Sequence, residues 1–398
     1  MVIQISQKDW FKKGLIFGII ILFISITILP GINAYAIKKE FYKNFIHSIT
    51  TIKEKAGFKG GLFYEELIDI FHRRINNFYN YNKLNGFIFS PEDIELKDDA
   101  FHDSNSFNFI EWWYFDAILN DGYSIHMSIY VFSALKEKFI ITEMNVYKKG
   151  IPIYDNREIY LNDDFYISTD NPLVILDGKQ VMRGYINQTT GDWIYDVSLE
   201  FSNSSVDLQF IGCTKGWKGI LSVGGWAVIL PKASVSGKIC IDDIETEVVG
   251  NGYHDHNWDI TFMAYLNYGW YWGRIISTNV TITWFVIKDT RLSNSQVLLV
   301  VNKGDDCYIN INPDDINFIL GDFHIHFGRP VPYYFVITVD NENISLFVDL
   351  TATELQFSKN PGQWRYCRYH AESNGYIIID SEMEIINGIQ IAEYLRFR

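Results

Sequence analysis

The chain has 398 residues, of which 48% are apolar, and this is enough for two hydrophobic cores of ordinary domain size. Its 34 basic and 48 acidic side chains leave a formal net charge of -14, which repels phosphate backbones and argues against nucleic acid as a partner. The four cysteines are widely spaced and form no C-x-x-C, which excludes a zinc ribbon and a thioredoxin-type redox motif.

The first predicted element is an N-terminal membrane or signal helix over residues 1–36. Lys8, Lys12 and Lys13 precede an uncharged stretch that is long enough to span a bilayer, and lysines in this position stay on the cytoplasmic side. The stretch ends in A-Y-A, a small-x-small pattern of the signal-peptidase kind, so a cleaved signal peptide and a retained anchor both remain open. In either case we expect the protein to be membrane-anchored or secreted, with its main domains outside the cytoplasm.

Residues 37–97 are predicted to form a short helical stalk or linker. Charged residues are spaced among apolar ones in K-E-F-Y-K-N-F and E-E-L-I-D-I-F-H-R-R, with three glycines between these runs. The apolar faces of such a segment suit either a membrane surface or the body of the protein.

From about residue 98 the apolar period changes to two, which predicts half-buried β-strands. Ser124–Phe132 and Trp193–Phe201 both alternate apolar with polar side chains. Turn residues at 340–343 predict one hairpin, and Asn387-Gly388 predicts another, because this dipeptide favours a type I′ turn. No long helical period interrupts the region, so the strands must close into barrels or pack as sandwiches. We predict an all-β fold of antiparallel barrels with a filled or ligand-holding interior.

Two motifs pack acids against aromatic rings, and the first is E-W-W-Y-F-D at residues 111–116. Strand alternation places Glu111 and Trp113 on one face, and Trp112 and Tyr114 on the other. Burial against rings would raise the pKa of Glu111 and keep its proton available, so Glu111 is a candidate catalytic acid and the three rings are candidate ligand contacts. The alternative is that the rings are core residues and that Glu111 pairs with backbone or arginine.

The second motif is G-N-G-Y-H-D-H-N-W-D at residues 250–259. In an extended strand His254, His256 and Trp258 share one face, and Asp255 lies on the other. We expect His256 or Asp255 to deliver a proton, with Trp258 and two later tryptophans facing the positive charge that results. The candidate ligand-binding residues of this part of the chain are Tyr253, His254, Trp270 and Trp272.

The same H-x-H spacing occurs again at His324 and His326, so a four-histidine metal site is conceivable. No carboxylate or cysteine ligand spacing supports it, and nothing in the sequence brings the two pairs together. We therefore predict neither a metal nor another cofactor.

E-W-W-Y, followed far downstream by G-Y-H-D-H-N-W and then by W-G-R at residues 272–274, resembles the carotenoid 1,2-hydratase (hydroxyneurosporene synthase) family of the tandem lipocalin-like superfamily. The resemblance covers roughly residues 98–398 and implies two lipocalin-like β-barrels in tandem, at 98–232 and 233–398. It also implies a hydro-lyase activity, in which a terminal double bond of an acyclic carotenoid is protonated and water captures the tertiary carbocation. His256 and Trp258 match family positions associated with catalysis.

The resemblance ends in the strand after W-G-R. The family has a tyrosine and an aspartate two residues apart there, whereas this chain has Thr283 and Phe285, and neither can replace an acid. Asp255 or Glu111 would then supply the proton in place of that aspartate.

Two functions follow from these observations. The first is an isoprenoid- or carotenoid-modifying enzyme, hydratase-like, that adds water to or rearranges a C=C bond of a long apolar lipid by proton-initiated chemistry. The second is a non-catalytic extracytoplasmic protein that binds a lipid in the same barrels. An aromatic share of 16% suits a ligand pocket and a β-rich core equally, so it does not choose between them. Both functions imply a hydrophobic small molecule as partner and the N-terminal segment as the membrane contact.

Overall fold

The computed structural model describes residues 89–396, with gaps at 105–107, 135–136, 162–163, 261–263, 265–266, 289–293, 305, 327 and 360–364. The predicted N-terminal helix and most of the predicted stalk lie outside this part. Within it the regular structure consists of β-strands and three short 3-10 helices, at Leu96–Asp99, Asn120–Gly122 and Pro313–Asp315. None of the helices in the described ranges is long and apolar enough to cross a membrane.

The first sheet is antiparallel, and its order is β4-β3-β2-β1-β12-β11-β9-β8-β7-β6-β5, with β10 paired to β11. Its strands are β1 (Asn108–Leu119), β2 (Tyr123–Ala134), β3 (Glu137–Lys148), β4 (Ile151–Leu161), β5 (Phe165–Ile167), β6 (Leu173–Leu176), β7 (Lys179–Ile186), β8 (Trp193–Phe201), β9 (Ser204–Gly212), β10 (Trp217–Leu221), β11 (Gly224–Ile241) and β12 (Ile244–Ile260).

The second sheet is also antiparallel, in the order β16-β15-β14-β13-β21-β20-β19-β18-β17. Its strands are β13 (Gly269–Ile276), β14 (Val280–Lys288), β15 (Asn294–Lys303), β16 (Cys307–Asn310), β17 (Ile316–His326), β18 (Arg329–Asp340), β19 (Ile344–Lys359), β20 (Arg365–Ile379) and β21 (Glu382–Arg396).

Each sheet coils around its own hydrophobic core. The first core takes residues from nearly every strand of its sheet, and the ring of Tyr154 on the edge strand β4 lies 6.4 Å from that of Phe201 on β8. The second core is built in the same way, with Trp284 and Phe335 among its largest side chains. Alternation along each strand places one set of side chains in these cores. The predicted all-β fold with two lipocalin-like barrels in tandem is confirmed.

The division between the barrels lies further along the chain than the predicted boundary at 232/233. The first sheet continues to Ile260 and the second begins at Gly269. Pro231 has no N–H to donate to a neighbouring strand, and β11 passes it through irregular register between Val228 and Ala233 without ending. The segment around Pro231, which the sequence suggests as a domain boundary, is therefore a bulge within one continuous strand.

One predicted hairpin is confirmed and the other is wrong. The turn at 340–343 joins β18 to β19 as expected. Asn387 instead lies within β21, opposite Asn374, and the turn between β20 and β21 is at Asp380-Ser381, whose φ angles are 52° and 69°. Aspartate tolerates positive φ in such a turn. The continuous pairing of two 15-residue strands places the turn here and not at Asn387-Gly388.

The described end of the predicted stalk, residues 89–97, is not helical over its length and belongs to the first barrel. The ring of Phe89 packs edge-on against Trp217 at 5.7 Å. Glu92 and Lys218 exchange two backbone hydrogen bonds, of 2.8 and 2.9 Å. The segment then enters the short 3-10 helix that ends at Asp99, a buried residue of the site below.

Candidate functional site

The strand pair β1 and β12 is a wall with a polar cluster on each side. Trp113 lies opposite His256 in this ladder, and Tyr114 lies opposite Asp255. Because side chains alternate, Glu111, Trp113 and the two histidines of β12 face the interior of the first barrel. The intervening side chains face the second barrel. We call the two sides the interior cluster and the inter-barrel cleft.

The interior cluster centres on the buried carboxylate of Glu111. Its Oε1 atom accepts a hydrogen bond of 2.8 Å from the backbone N–H of His102, and it lies 3.1 Å from His102 Nδ1 and 2.9 Å from His256 Nε2. Burial opposes ionisation, but these two histidines hold the pKa of Glu111 below its usual value. Glu111 is thus an ion-paired base here, contrary to the expectation that burial against rings keeps it protonated.

Asp99 closes the interior cluster from the other side. Its Oδ2 atom lies 3.1 Å from His254 Nε2, and its Oδ1 atom approaches His256 Nδ1 to 3.1 Å without good hydrogen-bond angles. Burial works against its charge, but the two imidazoles lower the pKa of Asp99 to about 2. In turn, although burial opposes a cation, Asp99 and Glu111 raise the pKa of His256 to about 9. His256 is therefore a cation held between two carboxylates.

Aromatic rings fix the histidines in place. The ring of Trp258 stacks on His102 at 4.1 Å, and Trp113 stacks on His256 at 4.5 Å. His254 stacks on Phe115 at 3.8 Å, and its Nδ1–H donates to the carbonyl of Tyr114. Trp113, His254 and Trp258 therefore support the interior cluster. None of the three lines the inter-barrel cleft.

Three residues of the interior cluster have the chemistry to hold a metal ion. One ligand atom each from His102, Glu111 and His256 lies within 4.8 Å of the other two. His324 and His326, by contrast, lie on β17 of the second barrel, where they contact Asp322 and Tyr333. The two H-x-H pairs therefore do not meet.

The inter-barrel cleft has a cavity volume of about 60 Å³. This is room for a few water molecules or the end of a ligand, since a single water needs about 10–15 Å³ on this scale. The walls are mainly aromatic and carry two carboxyl groups. The lining residues are Trp112, Tyr114, Leu221, Val223, Trp226, Asp255, Asn257, Ile260, Trp270, Trp272, Phe285 and Glu393.

Asp255 is the carboxyl group that the first barrel contributes to the cleft. Its Oδ2 atom accepts hydrogen bonds from Tyr253 Oη at 2.7 Å and Trp226 Nε1 at 3.0 Å, and its Oδ1 atom accepts one from Asn257 at 3.2 Å. Burial raises the pKa of Asp255 to about 7, even though the bonds from Tyr253 and Trp226 favour the charged form. Asp255 can therefore carry a proton near neutral pH.

Glu393 on β21 is the carboxyl group that the second barrel contributes. Its Oε1 atom accepts hydrogen bonds from Tyr114 Oη at 2.7 Å, Tyr366 Oη at 2.6 Å and Arg368 at 2.6 Å. Burial raises the pKa of Glu393, and the Arg368 guanidinium opposes that shift. Tyr114, on the first barrel, thus hydrogen-bonds directly to the carboxyl group that the second barrel contributes.

The positions that differ from the carotenoid 1,2-hydratase pattern also lie between the barrels. Phe285 on β14 lines the cleft, and its ring packs 5.6 Å from that of Trp226 and 5.9 Å from that of Trp270. Thr283 on the same face is fully buried. The cleft therefore has an apolar ring where the resemblance implies an aspartate, and Asp255 lies in the same space.

The predicted site residues thus divide between two places. Glu111, His256, Trp113, His254 and Trp258 lie at the interior cluster, whereas Trp112, Tyr114, Tyr253, Asp255, Trp270 and Trp272 lie at the cleft or contact the residues that line it. Sequence reasoning missed His102, Asp99, Trp226, Arg368 and Glu393. The first two belong to a segment without periodicity, and the other three follow ordinary strand alternation, so no local signal marks them.

No protein-family model matches the chain, and no curated protein sequence matches it. Solved structures do match. A protein provisionally designated ATTH, from Nitrosomonas europaea, has a TM-score of 0.57 at 14% identity, covering 77% of this chain and 97% of its own. CghA crystallised with Sch210972 has a TM-score of 0.50 at 11% identity, covering 73% of this chain and 88% of its own.

These similarities define the class of fold as tandem lipocalin-like barrels. At identities this low the similarity shows a shared architecture only, and the chemistry depends on this chain's own residues.

Proposed function

We propose that the protein is a hydratase-type enzyme that adds water to, or rearranges, a C=C bond of an apolar unsaturated substrate in the inter-barrel cleft. One observation carries this proposal: the buried carboxyl group of Asp255 meets the rings of four tryptophans and Phe285 in a single space. No lysine or arginine is among the described residues that line this space. A neutral substrate that becomes a cation during reaction fits such walls.

The chemistry begins with proton transfer from Asp255 to one carbon of the double bond, which leaves a positive charge on the other carbon. The faces of Trp226 and Trp272 stabilise this charge, and indole rings held in place are poor nucleophiles toward it. Water then forms the new C–O bond and releases a proton to a carboxylate of the cleft, Glu393 or the ionised Asp255. Without water, loss of a different proton from the cation gives a rearranged alkene.

The sequence resemblance supports the same kind of reaction with a different acid. Phe285 occupies the position where the carotenoid 1,2-hydratase family has an aspartate, and it shares the cleft with Asp255. Asp255 on β12 can therefore donate a proton in the same cleft that an aspartate at position 285 on β14 would face.

We further propose that the substrate is a long isoprenoid or carotenoid-like lipid and that the reaction takes place outside the cytoplasm. The support is the motif resemblance together with the predicted signal or anchor helix at 1–36. A cleft of about 60 Å³ admits only one end of such a chain, so the reaction would occur at a terminal double bond.

The test incubates the purified full-length protein with a panel of neutral acyclic isoprenoids in isotopically labelled water. We expect a product with one oxygen atom from the solvent, detected by mass spectrometry, and its loss in Asp255→Asn. Glu247→Gln is the matched control, because Glu247 is an exposed acid on the same strand. A lipid that binds stoichiometrically without turnover, equally in the wild type and Asp255→Asn, would instead establish the non-catalytic lipid-binding function.

A further inference from the structure

Glu111 takes no part in the proposed reaction, and one of its two carboxylate oxygens is unsatisfied within the described part of the chain. Oε1 meets both histidines of the interior cluster, whereas Oε2 is buried and has no hydrogen-bond partner among the residues that the structure describes. A buried acceptor without a partner is costly and calls for a ligand or ion that satisfies it. The side chain itself has no solvent exposure.

We propose that His102, Glu111 and His256 bind one divalent transition-metal ion, of which Zn²⁺ is the first candidate. Each contributes one ligand atom: His102 Nδ1, a Glu111 carboxylate oxygen and His256 Nε2. The Glu111 Oε1 atom lies 3.1 Å from His102 Nδ1 and 2.9 Å from His256 Nε2. Tetrahedral zinc with bonds of about 2.1 Å spaces neighbouring ligands about 3.4 Å apart, so small side-chain shifts would open the site.

The surroundings of His256 match those of a metal-bound histidine. Its second ring nitrogen, Nδ1, lies 3.1 Å from the buried carboxylate of Asp99. Metal-ligating imidazoles commonly direct their other nitrogen to a carboxylate, which fixes the ring and increases its basicity. His102 is fixed by its stack on Trp258 at 4.1 Å. The protein therefore holds both imidazoles in place by contacts that leave the candidate ligand atoms facing Glu111.

An ion can reach the interior cluster from one side. The His102 side chain is 26% exposed, whereas those of Glu111 and His256 are fully buried. Two imidazoles and one carboxylate form a donor set suited to Zn²⁺ or Fe²⁺, and three protein ligands leave a position for water. The site lies on the opposite side of the β1–β12 wall from the cleft, so this inference does not depend on the proposed function.

In the test, a chelator removes bound metal from the full-length protein, which is then titrated first with Co²⁺ and afterwards with Zn²⁺. The visible absorption of bound Co²⁺ reports tetrahedral ligation by nitrogen and oxygen atoms. We expect one ion per chain, displacement of Co²⁺ by Zn²⁺, and a higher melting temperature with metal bound. His102→Ala and Glu111→Gln should each abolish the visible absorption. Asp99→Asn should weaken binding about 10–100-fold, as outer-shell changes do elsewhere.

The control is the double variant His324→Ala/His326→Ala, which removes the other H-x-H pair and should bind like the wild type. Circular dichroism of every metal-free variant establishes folding, and His102→Ala is the safest variant because this ring is partly exposed. Absence of saturable binding would show that the cluster is only an ion-paired network. Binding unchanged in folded His102→Ala and Glu111→Gln, or lost only in the control, would equally overturn the proposal.

Discussion

Arg274 of the second barrel donates a hydrogen bond of 2.6 Å from Nε to Oδ1 of Asp116 in the first barrel, and both side chains are buried. Arg368, also of the second barrel, lies 3.5 Å from the other oxygen of the same carboxylate. One acid on β1 thus pairs with two cations that the second barrel contributes, and Glu393 supplies the second negative charge. The ion cluster joins the barrels beside the cleft, since Arg368 also binds Glu393.

Asp116→Asn should destabilise the protein by about 3–5 kcal/mol, because removing one member of a buried ion pair leaves the other charges uncompensated. The measurement is urea unfolding followed by tryptophan fluorescence. Glu200→Gln is the control, since its pair with Lys179 is exposed and should contribute nothing measurable. Equal stability of the two variants would show that the buried pair does not hold the barrels together.

The protein should lose stability as the pH falls from about 6.5 toward 3, owing to two buried histidines between the barrels. Burial lowers the pKa of His370 to about 3, with the Arg368 charge acting in the same direction, and burial also lowers the pKa of His126 well below its usual value. Asn145 donates to His126 Nδ1, which requires the neutral ring. The unfolded chain binds these protons first, so His370 should cost roughly 2 kcal/mol at pH 5, and protonation of His126 should add to that loss.

Thermal unfolding of the wild type and of His370→Gln at pH 7 and pH 5 measures this effect. The fall in melting temperature between the two pH values should be smaller in the variant, because one of the two protonation sites is gone. An identical fall in both proteins would assign the acid sensitivity to other groups.

Phe285→Asp should restore part of the activity that Asp255→Asn loses. Phe285 is 6% exposed and faces the same cleft, so an aspartate there would place a carboxyl group against the same rings. Product formation by the double variant, compared with Asp255→Asn alone, is the measurement. Phe285→Asn in the Asp255→Asn background is the control for lost ring packing. A double variant no better than its control would show that the two positions do not serve one reaction.

Gly225→Ala should destabilise the protein by about 1–3 kcal/mol through overpacking. Gly225 lies opposite Trp258, and an added Cβ would come within 2.0 Å of the indole ring. The double variant with Trp258→Ala should lose less than the sum of the two single changes, since the clash needs both side chains. Additive losses in chemical unfolding would show that Trp258 does not occupy this position.

The sequence predicts those parts of the fold and the sites that depend on strand period. Alternation separates Glu111 and Trp113 from Trp112 and Tyr114, and the structure places them on opposite sides of the wall as expected. The contact between Glu111 and His256, which the sequence does not predict, depends on one ladder, the antiparallel pairing of β1 with β12.

Long-range packing is where the sequence fails as a guide. Glu393 contacts Tyr114 across 279 residues, and this contact depends on how two separately coiled sheets dock. Asp99 and His102 reach the interior cluster from a segment with no repeating pattern. Strand alternation does place Asp255 and His256 on opposite faces of β12, but the sequence does not show which of these faces the second barrel covers.

Because β12 belongs to the wall between the interior cluster and the cleft, the spacing of the residues in G-Y-H-D-H-N-W matters as much as their identities. Inserting one residue between Tyr253 and His254 would reverse the direction of every later side chain in the motif. Histidines would then point into the aromatic cleft, and the acid would point into the barrel beside Asp99. A substitution can alter the interior cluster or the inter-barrel cleft alone, whereas a change in the length of β12 alters both at once. Protein engineering of either site must therefore keep the register of β12 fixed.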